Sequence, residues 1–199
     1  MNKQLIIKEI YSLDELQSIV APQEWLHAEG FRSERRRREW LSWRVALRES
    51  LSKEPFMGVD GKGIEVAYHN SGAPYIVGST IPIYISVSHC RTHIAVLLSD
   101  RPCAVDMELL GRNFSIVVSR YVSDSESAII NRDKDGLAIG WCAKECAYKY
   151  IANQPLDFIG DITITDIDFE KCDITVQILE REYRARFIVE EGYCIVWME

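Results

Sequence analysis

The chain has 199 residues, of which 47% are hydrophobic and 27% are charged, a mixture typical of globular proteins. Its formal net charge of −7 opposes binding to nucleic acid. No stretch approaches the roughly 18 uncharged apolar residues that span a bilayer, and the apolar N-terminal stretch is too short for a signal peptide. We therefore expect a cytoplasmic protein without nucleic-acid or membrane partners, with one sizeable core or two small lobes.

A helix is predicted over residues 33–52, because apolar side chains recur there at intervals of three and four. These side chains are Trp40, Trp43, Leu47 and Leu51. Ser33 is a suitable N-cap, and Pro55 lies just beyond the helix. Five arginines crowd around its first turns: Arg32, Arg35, Arg36, Arg37 and Arg38. Their charge opposes the helix dipole, so the run is either a solvated face or an anion-binding patch.

Short β segments follow this helix. Residues 64–68 alternate in polarity, and residues 70–74 read Asn-Ser-Gly-Ala-Pro, which predicts a turn. Residues 81–88 and 93–98 predict two strands joined by a tight connection, and residues 103–108 predict another short strand.

The remaining chain predicts two helices and an antiparallel meander. Ser123 and Glu126 fit a capping box at the start of one helix, and the second runs from about Leu137 to Ala152, before Pro155. The meander strands are predicted at residues 161–165, 172–179, 183–189 and 193–198. We predict an α+β fold with an N-terminal lobe over residues 1–100 and a C-terminal lobe over residues 101–199, a division that rests on counting elements.

The six cysteines form no CxxC pair. Cys142 and Cys146 are four residues apart, so one helix face could present both to a metal, but no histidine lies nearby to complete a zinc site. We therefore expect buried, reduced thiols.

Two pairs of polar residues suggest chemistry. Asp106 and Glu108 alternate along a predicted strand, so both carboxylates face the same side, where a cation such as Mg²⁺ would offset their repulsion. An exposed strand edge would fit the same pattern. Glu145 and Lys149 are four apart on a predicted helix and therefore share a face, either as a surface ion pair or as functional groups. Trp141 lies one turn before Glu145, and its bulk argues against a helix face that is wholly exposed to solvent.

Ser88 and His89 end a predicted strand, a position that suits contact with phosphate. Taken together, the order of motifs resembles the 4'-phosphopantetheinyl transferases. It comprises an arginine-rich helix, Ser-His at a strand end, Val-Asp-x-Glu, and Trp-x-x-Lys-Glu-x-x-x-Lys. The closer resemblance is to the larger, monomeric type that activates peptide and polyketide synthases, and it covers roughly residues 31–152.

This resemblance implies two similar lobes in a pseudo-twofold arrangement, with the active site in the cleft between them. It implies that phosphopantetheine passes from coenzyme A to a serine of an apo acyl or peptidyl carrier protein, releasing adenosine 3',5'-bisphosphate. It implies Mg²⁺, or alternatively Mn²⁺, held by Asp106, Glu108 and Glu145. Glu145 and Lys149 would be catalytic. The residues implied to contact coenzyme A are Arg35, Ser88, His89, Lys144 and Lys149.

Two other functions stay open. Ala73 stands where the family usually has a basic residue in its Gly-Lys-Pro turn, which fits a non-catalytic module that binds a carrier protein. A metal-dependent nuclease would also combine acids with a lysine, but its usual (Asp/Glu)-x-Lys spacing is absent, since Glu145 and Lys149 are four apart. The net negative charge also opposes DNA binding.

Overall fold

The computed structural model describes residues 2–151 and 154–199 and shows a mixed α+β architecture with several antiparallel sheets. The first half contains the following elements: β1 (Lys3–Glu9), α1 (Leu13–Ile19), α2 (Pro22–Glu29), α3 (Glu34–Lys53), β2 (Val66–Tyr68), β3 (Pro74–Ile76), β4 (Tyr84–His89) and β5 (His93–Ser99). The second half contains these: β6 (Ala104–Leu109), α4 (Asp124–Ile130), α5 (Gly136–Ile151), β7 (Ile162–Asp168), β8 (Asp173–Ile178), β9 (Arg181–Glu190) and β10 (Tyr193–Met198). No helix among the described residues has the length and apolar character needed to cross a membrane.

The first half folds around a three-stranded antiparallel sheet in the order β1-β5-β4. The long helix α3 packs on this sheet through Trp43, Leu47 and Leu51, which share one core with Ile85 and Val96. These are three of the four apolar side chains predicted from the helical periodicity; the fourth, Trp40, is also buried but packs against α1 and α2. Ser33 caps the helix as predicted, because its hydroxyl accepts a hydrogen bond from the Arg36 amide at 3.2 Å.

The second half folds around a five-stranded antiparallel sheet in the order β6-β10-β9-β8-β7. Helix α5 packs across this sheet, with Ile139, Cys142 and Cys146 in a core shared with Ile164 and Val196. The predicted meander is confirmed as β7 to β10. The predicted end of the second helix, Ala152, lies outside the described residues, which follow α5 as far as Ile151.

The buried ion pair between Glu126 and Lys144 ties α4 to α5. Glu126 lies in the first turn of α4 and completes the predicted capping box, where its Oε2 accepts from the Ser123 amide at 2.9 Å. Its other oxygen, Oε1, lies 2.7 Å from Lys144 Nζ and accepts from the Ile164 amide at 2.8 Å. Both side chains have no exposed surface, so this cluster fixes α4, α5 and β7 together.

The two sheets meet where β4 lies beside β6, an arrangement called here the seam. No backbone ladder joins β4 to β6 in the described part of the chain. Instead the Ser86 hydroxyl accepts from the Val105 amide at 2.9 Å, and the Ser88 hydroxyl accepts from the Met107 amide at 3.1 Å. Apolar side chains from both sheets, including Leu97, pack around the seam.

Strand β1 and helices α1 and α2 are not among the elements predicted above. Helix α1 carries a complete capping box, since Ser12 accepts from the Glu15 amide and Glu15 accepts from the Ser12 amide. Pro22 occupies the first turn of α2, where its missing N–H costs nothing. The six cysteines are free; Cys142 and Cys146 are fully buried as predicted, whereas Cys103 and Cys172 are half-buried.

Candidate active site

A cleft of about 600 Å³ opens at the seam, bordered by β4, β6, α5 and the turn between β2 and β3. Three carboxylates line it: Asp106, Glu108 and Glu145. Three cationic side chains also line it: Arg36, Arg112 and Lys149. These charges balance, so a ligand carrying several negative charges would need additional positive charge in the cleft.

The alternation along β6 places its carboxylates as predicted. Val105 and Met107 are buried in the apolar cluster at the seam, whereas Asp106 and Glu108 border the cleft. Strand β6 forms the edge of the five-stranded sheet, so its free side is the one that faces β4. The pleat of a single strand therefore directs both acids into one space.

Asp106 is held by two donors that meet on one of its oxygens. Lys149 Nζ lies 2.6 Å from Oδ1, and the Ser88 hydroxyl donates to the same Oδ1 at 2.8 Å. Lys149 also donates to the Val105 carbonyl at 3.1 Å. Lys149 thus reaches across from α5 to β6, and the surface ion pair with Glu145 that the spacing alone allows is not its contact.

The protonation of Lys149 and that of Glu145 are linked. Burial alone would lower the pKa of Lys149, but the negative charges of Asp106 and Glu145 outweigh it and raise that pKa. The pKa of Glu145 is raised, chiefly by burial and next by the charge of Asp106, while Lys149 and Arg112 oppose the shift. Two carboxylates that repel each other in one cleft are a donor set suited to a shared divalent cation.

Glu108 is engaged differently from the other two acids. Its Oε2 pairs with Arg112, and its Oε1 accepts from the Leu109 amide at 3.0 Å. Within residues 2–151 and 154–199, no group of three His, Cys, Asp or Glu side chains is arranged to hold a metal ion. The three predicted carboxylates therefore line one cleft without forming such a group, and Glu108 is paired with Arg112.

Arg36 and His89 also line the cleft and contact each other. Arg36 Nη1 lies 3.2 Å from His89 Nε2, which must accept because a guanidinium has no lone pair to offer. His89 Nδ1 faces the buried Glu39 carboxylate at 3.5 Å. Burial lowers the pKa of His89, Glu39 opposes this, and the charges of Arg36 and Lys149 add to it. A neutral His89 with its proton on Nδ1 fits this geometry.

The arginines of the run make different contacts, because they lie on different sides of α3. Arg36 faces the cleft, whereas the predicted coenzyme A contact Arg35 does not line it and instead pairs with Glu39 at 3.0 Å. Arg38 donates to the Tyr11 carbonyl at 2.9 Å and so anchors the N-terminal segment. One arginine of the run therefore borders the cleft, one residue along from the predicted position.

Lys144 requires a correction. Although it belongs to the same Trp-x-x-Lys-Glu-x-x-x-Lys motif, its ammonium does not reach the cleft. Besides Glu126 it binds the carbonyls of Phe158 at 2.5 Å and Ile162 at 2.6 Å. An ammonium has three protons, and these three acceptors use them all. The predicted contact between Lys144 and coenzyme A is wrong, because this side chain is fully buried in the core.

The predicted turn at residues 70–74 borders the cleft, with Gly72 in the left-handed region at φ 85°. Ala73 accepts a backbone hydrogen bond from the His69 amide at 2.9 Å and contributes no charge. Sequence reasoning missed Arg112, which lies in an irregular loop after β6 and stacks 4.9 Å from the Trp141 ring. No periodic pattern marks a residue in such a loop, so nothing local pointed to it.

No protein-family model and no curated protein matches this chain. The features that indicate a function are the cleft and the order of the motifs that form it.

Proposed function

We propose that this protein is a 4'-phosphopantetheinyl transferase. It would transfer the phosphopantetheine arm of coenzyme A to a serine of an apo acyl or peptidyl carrier protein and release adenosine 3',5'-bisphosphate. The observation that carries the proposal is the cleft at the seam, which Asp106 and Glu145 line together with the contacting pair Arg36 and His89. Lys149, on the same helix as Glu145, also lines the cleft and pairs with Asp106 at 2.6 Å.

The charges of the cleft suit the diphosphate of coenzyme A combined with a divalent cation. The lining carboxylates and cations balance, so a diphosphate would bring uncompensated negative charge. Asp106 and Glu145 would hold Mg²⁺, or Mn²⁺, which would neutralise that charge and polarise the phosphoryl oxygens. Arg36 would meet an outlying phosphate, since a guanidinium is well suited to phosphate oxygens.

The reaction forms one P–O bond and breaks another. The carrier serine oxygen attacks the phosphorus that bears the pantetheine arm, and the bond from that phosphorus to the bridging oxygen breaks. Glu145 would accept the serine proton, directly or through a water molecule, because it is the cleft carboxylate without a short ion-pair partner among the described residues. Lys149 would stabilise the charge that develops on the departing phosphate.

The proposal extends to the architecture. Each half of the chain has one long helix, α3 or α5, packed on an antiparallel sheet, and the cleft opens between these halves at the seam. On this basis we propose two similar lobes in a pseudo-twofold arrangement, divided near residue 100. The proposed enzyme would also be monomeric and cytoplasmic.

The direct test is carrier modification followed by mass spectrometry. Purified protein is incubated with coenzyme A, Mg²⁺ and a panel of apo carrier proteins, and we expect the added mass of one phosphopantetheine arm. A chelator, and a carrier whose acceptor serine is replaced by alanine, should each abolish the change. Binding of a carrier protein without transfer would instead indicate the non-catalytic module that binds a carrier protein, and the absence of both carrier binding and transfer would refute the proposal.

A further inference from the structure

The seam depends on two serines that are two residues apart on β4. Ser86 and Ser88 are both buried, with 8% and 7% of their surface exposed, and both point towards β6. Each hydroxyl oxygen takes the place of a backbone carbonyl as the acceptor for a β6 amide, at Val105 and Met107. The two serines therefore make equivalent contacts with the neighbouring strand.

One further contact distinguishes Ser88 from Ser86. A backbone N–H can only donate, so the Ser88 oxygen must accept from Met107 and its single proton remains for another partner. That partner is Asp106 Oδ1 at 2.8 Å. With its proton already donated to a carboxylate, the buried Ser88 hydroxyl has no second proton to donate to a phosphate oxygen.

The Asp106 carboxylate is consequently gripped from two elements. Ser88 holds Oδ1 from β4, and Lys149 holds the same oxygen from α5 at 2.6 Å. Two donors in different directions fix the rotation of a carboxylate about its bond to the chain. Neither of these two donors contacts Oδ2, and that is the oxygen that would bind a cation in the cleft.

We propose that Ser88 is a positioning residue that orients Asp106 towards the metal–diphosphate complex, and that it is not a phosphate ligand. This inference rests on the proposed function and differs from the phosphate contact that the motif resemblance implies for Ser88. Removing an outer partner of a metal ligand typically weakens metal affinity about 10–100-fold, which is large enough to measure.

The test compares Ser88→Ala with Ser86→Ala, because each variant removes one acceptor from a β6 amide and only the first releases Asp106. Mn²⁺ binding is measured by electron paramagnetic resonance on the full chain with coenzyme A present. In parallel, the Mg²⁺ concentration for half-maximal transfer and the KM for coenzyme A at saturating Mg²⁺ are determined. We expect Ser88→Ala to weaken Mn²⁺ binding and raise the Mg²⁺ requirement about 10-fold or more, with the KM for coenzyme A nearly unchanged. Ser86→Ala should change neither metal parameter.

Three results would overturn the inference. An increase in the KM for coenzyme A in Ser88→Ala, with unaltered Mn²⁺ binding, would show that Ser88 is a phosphate ligand. An equal loss of Mn²⁺ affinity in Ser88→Ala and Ser86→Ala would show that the loss comes from weakening the seam as a whole. If Ser88→Ala does not fold, Ser88→Cys replaces it, since a thiol is a weak donor of similar shape. If the wild-type protein modifies no carrier, this result counts against the proposed function alone, because Mn²⁺ binding is measured independently of transfer. If the wild-type protein does not bind Mn²⁺, the inference itself is overturned.

Discussion

Lys144 and Lys149 lie on the same helix and each pairs with a carboxylate at nearly the same distance, 2.7 Å to Glu126 and 2.6 Å to Asp106. Their surroundings differ. The Lys144 side chain has no exposed surface and its three protons meet three acceptors, whereas Lys149 is 32% exposed, borders the cleft and meets two acceptors among the described residues. A short ion pair by itself does not indicate a role; the remaining hydrogen-bonding capacity and the access to a ligand do.

Glu145 lies between these lysines and gives the largest expected effect. Glu145→Gln preserves side-chain shape but removes the charge and the proton acceptor, so we expect transfer to fall by about 10²–10⁴-fold. Carrier modification by mass spectrometry, together with the melting temperature of the same samples, measures this. Glu191→Gln, at an exposed turn, is the matched control. Near-normal transfer by the Glu145 variant would rule out the mechanism.

The variant Lys144→Met tests whether Lys144 stabilises the fold. Leaving the Glu126 carboxylate buried without its ion-pair partner should reduce the free energy of unfolding by about 3–5 kcal/mol. Urea denaturation measures the loss, and the double variant Lys144→Met/Glu126→Gln should recover part of it, because no buried charge then remains unpaired. A stable single variant with impaired coenzyme A binding would return Lys144 to the site.

Lys149→Ala tests the functional side of the comparison. We expect turnover to fall by about 10²-fold, because the cation that stabilises the departing phosphate is lost. Steady-state kinetics with an apo carrier measures this, and Lys171→Ala, which removes an exposed lysine paired with Asp168, is the control. A loss of stability comparable with that of the Lys144 variant, with unchanged turnover, would show that the two lysines have the same role.

Arg36→Ala and Arg35→Ala extend the comparison to α3. Arg36 borders the cleft and Arg35 does not, so only Arg36→Ala should raise the KM for coenzyme A, by about 10-fold, the value of a hydrogen bond to a charged group. Turnover at saturating coenzyme A should change little, since such a contact is made equally in the ground and transition states. The opposite ranking would place Arg35 at the phosphate.

The smallest expected effect concerns pH and stability. Folding raises the pKa of Glu145 through burial and the charge of Asp106. The stability linked to this group is therefore fully present below its unfolded pKa and is lost as the pH rises through the folded value. In the presence of a chelator, the melting temperature of Glu145→Gln relative to the wild type should rise as the pH increases from about 4, the ordinary pKa of a glutamate, through the raised folded value. A difference that is constant over this range would contradict the raised pKa.

Local patterns predicted much of this site. The direction of Asp106 follows from strand alternation, and the capping box at Ser123 follows from side chains three residues apart. The mixed α+β class follows from the same periodicities. Whether the protein has two similar lobes and whether it acts as a transferase remain predictions.

The parts that sequence could not predict depend on distant partners. Lys144 and Lys149 differ because one meets a carboxylate from α4 and the other a carboxylate from β6, and no spacing within α5 encodes that. The choice of Arg36 over Arg35 depends on the rotation of α3 relative to His89. Strand β1 lacks alternation, and its place in the sheet is set by pairing with β5, nearly a hundred residues away.

The serine seam limits the amino-acid substitutions that the chain can tolerate during evolution. A backbone ladder tolerates almost any side chain, because its donors and acceptors are common to all residues except proline. At the seam the acceptors for the Val105 and Met107 amides are the side chains of Ser86 and Ser88. Replacing either serine therefore removes a hydrogen bond that a replacement at a neighbouring strand position would leave intact. In a library of all single substitutions, these two buried serines should accept fewer replacements than buried ladder positions such as Val96, where a similar apolar residue suffices.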